Sequence, residues 1–153
     1  AGRTSKYEHV LEGFNHRLDT LQAAVLKIKL KYLDEWNAKR RKIAALYQGY
    51  FSNHEKIRTV TEPDGFEGVY HLFVIQVEDR DRVRKALQEK GISTGIHYPI
   101  CLHLQPAYQY LGYPQGAFPV AEQAAAKLLS LPIFPEMSED MVEYVANQVI
   151  QAV

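Results

Sequence analysis

Apolar positions in the first third of the chain recur at helical spacing. Leu18, Leu21, Val25, Ile28, Tyr32 and Trp36 step by three and four residues and share one helix face. The stripe resumes at Ile43, Tyr47 and Tyr50, with no glycine or proline before Gly49. A helix unbroken from Arg17 to Gly49 would be a rod of roughly 50 Å at about 1.5 Å per residue. That is long for a compact domain of this size. The spacing therefore predicts a kink, or a helix that connects this domain to another body. Residues 1–16 are polar, aperiodic and glycine-containing, and form a lead-in segment.

Past residue 51 the pattern changes. Residues 52–69 are polar, contain Pro63, Gly65 and Gly68, and predict a loop. Tyr70 to Val77 is β-branched and aromatic, which predicts a strand. Asp79 or Asp81 can cap a following helix with Val83, Ala86 and Leu87 on its apolar side, and Gly91 stops it. Ile92 to Tyr98 reads as a second strand, ended by Pro99. Residues 99–118 hold Pro99, Pro106, Gly112, Pro114 and Gly116 and read as loop, with a helical turn at 107–111. Pro119 opens a helix to about Leu129, Pro132 and Pro135 bracket a short extended piece, and Ser138 caps a last amphipathic helix. The fold class is α+β: a long N-terminal helix, then a small sheet packed with helices. The expected divisions are 1–16, 17–51 and 52–153.

Composition narrows the classes. With 46% hydrophobic, 11% aromatic and 24% charged residues, the chain is ordinary for a globular domain and unlike a disordered one. Eighteen basic residues balance eighteen acidic ones, which argues against a nucleic-acid binder and against attraction to anionic membranes. No apolar run approaches the length of a bilayer span. Cys101 is the single cysteine, so no internal disulfide forms, and a reducing, cytoplasmic setting is expected. Residue 1 is Ala, not Met, which fits a processed chain or a piece of a longer one.

Several residues can carry chemistry. Gly13-Phe14-Asn15-His16-Arg17 precedes the long helix. Asn15 suits an N-cap, and the same helix end offers free N–H groups and the Arg17 guanidinium to a phosphate. His97, Cys101 and His103 lie within seven residues. They are open to three readings: a packed loop around Pro99, a pocket rim where imidazoles and Tyr98 meet a polar ligand, or a zinc site short of a fourth ligand. Cys101 beside a histidine is also a conceivable nucleophile. The basic residues Lys27, Lys29, Lys31, Lys39, Arg40, Arg41 and Lys42 fit the solvated side of an amphipathic helix. His71 reads as a strand histidine. These residues alone do not reach a reaction.

A resemblance goes further. Gly13 through Ala24 looks like the G-x-N-x-R-x-x-x-x-Q-A-A segment of the DegT/DnrJ/EryC1/StrS family of pyridoxal-phosphate-dependent sugar aminotransferases. Tyr70-His71-Leu72-Phe73 resembles the family's YHLF-like strand. The run from Gly91-Ile92 through His97-Tyr98-Pro99 to Tyr108 resembles its G-I-x-x-x-x-H-Y-x-x-P-L-H-x-Q-x-x-Y stretch. Phe118-Pro119-Val120-Ala121-Glu122 and Leu129-Ser130-Leu131-Pro132 are similar to its F-P-x-A-E and L-S-L-P segments. The likeness covers essentially the whole chain. One departure is Cys101, which stands where the family has proline before the Leu-His pair.

The resemblance implies the C-terminal small domain of a fold-type-I aminotransferase. The family's Schiff-base lysine and pyridinium-pairing aspartate lie ahead of the GxNxR segment, so no catalytic residue is expected in this chain. The resemblance implies that Asn15 and Arg17 contact the phosphate of pyridoxal 5'-phosphate across a homodimer interface. It implies that His97, Tyr98 and His103 line the substrate mouth, without a metal. The implied substrates are glutamate and a nucleotide-linked keto-sugar, in amino-sugar synthesis for surface polysaccharides or natural products. A non-catalytic sugar-nucleotide-binding or regulatory module is the alternative.

Overall fold

The first helix begins where a carboxylate caps it. In the computed structural model, which describes residues 17–153, α1 spans Thr20–Lys29. Asp19 holds extended backbone at φ −62°, ψ 141°, and its Oδ1 accepts from the N–H groups of Leu21 (2.9 Å) and Gln22 (3.3 Å). The helix thus starts three residues after Arg17, with Asp19 as its cap; Asn15, expected in that role, lies outside the described residues, as does the lead-in segment 1–16. A 3₁₀ turn over Leu30–Tyr32 follows, then α2, Leu33–Phe51. No glycine or proline marks the change of helix type.

The chain divides into two compact units between Asp34 and Glu35. In the N-terminal unit, none of the residues of α1 is buried. In the C-terminal unit the last turns of α2 carry Ile43, Ala44, Tyr47 and Phe51 into a core. The expected division after residue 51 coincides with the end of α2, whose last turns pack into the same core as the sheet that follows.

That sheet has three antiparallel strands in the order β1-β2-β3: Ile57–Thr59, Phe73–Val77 and Leu128–Leu131. Ile57 pairs with Val77, Phe73 with Leu131, and Ile75 with Leu129. Phe73, Ile75 and Val77 are buried and alternate with less buried residues, the period-two signal that made β2 readable. Two strand expectations are corrected. The stretch 92–98 forms no strand; only Gly95 bridges to Ser130. The sheet instead uses Leu128–Leu131, where the pattern predicts a helix running to about Leu129. Leu129, Ser130 and Leu131 are all buried, so this strand shows no alternation to detect. The three-residue β1 is too short to show a period and falls in the segment read as loop.

Helix α3 spans Arg80–Glu89, and its end follows the chain's turn chemistry. Gly91 takes φ +75°; its N–H reaches Gln88 O (3.0 Å) and that of Ile92 reaches Leu87 O (2.9 Å). Both exposed carbonyls are thereby satisfied, and Leu87 meets Ile92 in the core. At the other end Asp79 makes no capping bond; its carboxylate accepts from Arg82 Nε at 3.1 Å instead. Helix α4 runs Pro119–Lys127 with proline in its first turn, and α5 runs Glu139–Ala152, capped by Ser138 Oγ on Met141 N.

Tyr47, Ile75, Val77, Val83, Leu87, Leu129, Val142 and Val149 are fully enclosed. Tyr47 stacks on Phe73 (ring centroids 4.8 Å apart) and donates its hydroxyl to Pro132 O at 3.0 Å. Burial pushes the Tyr47 phenol well above its ordinary range, so it remains a donor. Ile75→Ala should destabilise the chain by about 2–5 kcal/mol through an unfilled cavity. Tyr47→Phe should cost about 1–2 kcal/mol, because the Pro132 carbonyl loses its partner. Urea denaturation followed by far-ultraviolet dichroism measures both; a smaller loss for Ile75→Ala than for Tyr47→Phe would contradict this packing.

Candidate functional site

A hydroxyl inside a leucine strand organises one side of the candidate site. Ser130 is the sole polar residue buried among the described residues. Its backbone exchanges two hydrogen bonds with Gly95, at 2.8 and 3.0 Å. Its Oγ lies 2.9 Å from Nδ1 of His97, which satisfies a group that burial alone would penalise. The imidazole sits directly over Gly95: a Cβ built there would approach His97 Cε1 to 2.5 Å. Gly95 has no positive φ, so close approach, not backbone freedom, requires glycine here. Tyr98 follows, 74% exposed, its ring edge-on to His97 at 5.6 Å.

A carboxylate organises the other side. Glu122, in the first turn of α4, accepts from the N–H of Gly116 (2.9 Å), the N–H of Phe118 (3.2 Å) and His103 Nε2 (3.0 Å). The Gly116 N–H, then those of Phe118 and His103, hold this carboxyl below its ordinary value of 4.5, against the opposing effect of partial burial. An ionised carboxylate only accepts, so Nε2 of His103 carries the proton in this bond. Phe118 packs edge-on against both His103 (4.8 Å) and Tyr113 (5.3 Å). The proline-rich loop is thus tied to α4 by one anion and two aromatic contacts.

The three residues expected at the substrate mouth therefore differ in placement. His97 and Tyr98 adjoin each other at an exposed edge. The side chain of His103 is only 8% exposed and is engaged by Glu122. Cys101 is half-buried, and the described residues contain no cluster of three histidine, cysteine or carboxylate side chains placed to hold a metal. His71 is exposed, just ahead of β2. Several residues of the basic stripe are paired: Lys39 with Glu35, Lys42 with Glu139 and Arg41 with Glu67. Arg17 is exposed in the N-terminal unit. The helix end beside it is already filled by Asp19, which brings a negative charge where a phosphate was expected.

Ser130, Gly95 and Glu122 were missed as site residues. A signal existed for each of the polar pair: a lone serine within Leu128-Leu129-Ser130-Leu131 needs a partner, and a glutamate in the first turn of a helix opened by proline faces free N–H groups.

Comparisons with known proteins agree with the resemblance. The profile of the DegT/DnrJ/EryC1/StrS aminotransferase family matches residues 1–150. Over 144 residues the chain is 44% identical to the "Erythromycin biosynthesis sensory transduction protein EryC1" of Saccharopolyspora erythraea, covering 94% of this chain and 39% of that one. Over 148 residues it is 45% identical to the dTDP-3-amino-3,6-dideoxy-alpha-D-galactopyranose transaminase of Aneurinibacillus thermoaerophilus, covering 97% of this chain and 40% of that one. Its fold superposes on the crystal structure of S. venezuelae DesV in complex with a ketimine intermediate with a TM-score of 0.86 and 42% identity, over 98% of this chain and 40% of that one. The chain thus spans about 40% of the length of the relatives it matches.

The Glu122 cluster makes a pH prediction. A carboxyl held low in the folded state stabilises its surroundings above its ordinary value and ceases to do so as pH falls through the folded value. The amide resonances of Gly116 and Phe118 should titrate with a common midpoint below 4.5. Glu122→Gln should abolish that titration. A midpoint at or above 4.5 would contradict the three-donor arrangement.

Proposed function

The chain belongs to the DegT/DnrJ/EryC1/StrS aminotransferase family, and on that premise we propose that it serves a pyridoxal-phosphate-dependent transfer of an amino group from glutamate to a nucleotide-linked keto-sugar. The observation that carries the reading is the 45% identity, along nearly the whole chain, to an enzyme named as a dTDP-amino-sugar transaminase. In the transfer, glutamate becomes 2-oxoglutarate and the sugar's carbonyl carbon becomes an amine-bearing carbon. The cofactor, when bound, supplies the electron sink for breaking bonds at the amino-bearing carbon.

This chain's own residues bind and orient. His97 and Tyr98 offer an imidazole and a phenol to sugar hydroxyls or phosphate at an exposed edge. His103, protonated at Nε2 and held by Glu122, shapes the loop behind them. Arg17 and Asn15 are proposed phosphate contacts in a homodimer with shared sites. The exposure of Leu21, Val25, Leu26 and Ile28 on α1, between 48% and 75%, supports a role for that helix in subunit or domain contact. None of the helices of the described residues is long and apolar enough to cross a membrane. We place the protein in the cytoplasm, where a lone cysteine stays reduced.

A second reading has one observation in its favour: a relative 44% identical is named a sensory transduction protein. A regulatory module would bind the nucleotide sugar without transferring the amine.

The test uses the protein from the complete reading frame containing this chain, purified with pyridoxal phosphate. With glutamate and a dTDP-linked 3-keto-6-deoxyhexose, 2-oxoglutarate and the amino sugar should form in equal amounts, and the protein should sediment as a dimer. Retention of the nucleotide sugar without any 2-oxoglutarate would replace this function with the regulatory one.

A further inference from the structure

We propose that Ser130 and Gly95 are positioning residues that hold the His97 imidazole in one orientation, so that Nε2 is the atom presented to a nucleotide sugar. The use of that atom rests on the function proposed above; the hold itself does not.

Three observations converge. A hydroxyl is buried in the middle of a leucine strand, where it has no packing advantage over alanine. Its Oγ is spent on one ring nitrogen of an otherwise exposed histidine, at 2.9 Å. The residue beneath the ring is a glycine whose backbone angles any residue could adopt, and whose missing Cβ is the space the ring occupies. The two-bond backbone bridge between Gly95 and Ser130 fixes the seat relative to the sheet. With Nδ1 engaged by Ser130, the ring cannot flip without leaving the hydroxyl unpaired in a buried position. Nε2 makes no hydrogen bond among the described residues and remains for a ligand. The Ser130 hydroxyl can donate to Nδ1 or accept from it, so the bond and the ring's orientation persist in either tautomer.

Serine thereby acts through His97 and touches no ligand itself. Nε2 donates to a phosphate oxygen when it carries the proton and accepts from a sugar hydroxyl when bare, so both are chemistry it suits. Tyr98, edge-on beside it, supplies a second polar tip on the same exposed edge.

Three-bond Hα–Hβ couplings of His97, with nuclear Overhauser contacts from its ring protons to Gly95 Hα, recorded on the chain, test the hold directly. In the wild type the couplings should report a single χ1 rotamer, and the ring should show its contact with Gly95. In Ser130→Ala the couplings should move toward a rotamer average and the contact with Gly95 should weaken. Gly95→Ala keeps the hydroxyl but displaces the ring, and should give the same averaging; it also reads the proposal if Ser130→Ala does not fold. Titration with dTDP-glucose should then be about three- to tenfold weaker in either variant, the change that loss of one ordered hydrogen bond produces. Averaged couplings in the wild type, or unchanged couplings and contacts in a folded variant, would overturn the proposal. A locked wild-type ring that is released in the variants, with no dTDP-glucose binding by either, would uphold the hold and remove the functional reading.

Discussion

The arrangement depends on burying one hydroxyl in a strand that otherwise excludes polar atoms. Leu129 and Leu131 flank Ser130 and pair with Ile75 and Phe73 across the sheet. The strand is therefore fixed by apolar packing on both sides before Ser130 is considered. A buried hydroxyl without a partner is unfavourable, so Ser130 must draw a group to itself. It draws the backbone of Gly95 and the ring of His97. The segment from Ile92 to Pro99 is held against the sheet by this contact, without being part of a strand.

The loop that follows is secured differently. Its apolar residues are largely exposed, and Leu102, Tyr110 and Tyr113 contribute little to the core. A single carboxylate gathers two backbone N–H groups and one imidazole from three points along it. Charge-assisted bonds are the stronger kind, so one glutamate suffices where packing is sparse. The two histidines of the candidate site thus have opposite circumstances. His97 is anchored through Nδ1 and keeps a free nitrogen at an exposed edge. His103 is enclosed under Phe118 and ties loop to helix. Their closeness to Cys101 along the chain, four residues before it and two after it, carries no sign of this difference.

Much of the fold could be read from residue pattern, for identifiable reasons. Gly91 ended α3, Pro119 opened α4 and Ser138 capped α5 because each act is local and residue-specific. Phe73, Ile75 and Val77 alternated because β2 has one more deeply buried face. What escaped was non-local. Leu128–Leu131 is buried throughout, and only its pairing with β2 distinguishes it from a helix end. Asp19 rather than an earlier residue capped α1, a choice between neighbouring candidates that spacing cannot make. The family resemblance identified the segments around Glu122 and Ser130 but not their work, because that work is done on partners 19 and 33 residues away in sequence.

On the proposed function, a nucleotide sugar meets this chain at the edge formed by Gly95, His97 and Tyr98. A ¹H–¹⁵N map of backbone amide shifts during titration with dTDP-glucose tests it most directly. The account predicts that the largest shifts cluster at residues 95–98. Largest shifts at Arg84, Gln88 and Ser93, which line a separate hollow between α3 and the bridge, would contradict it.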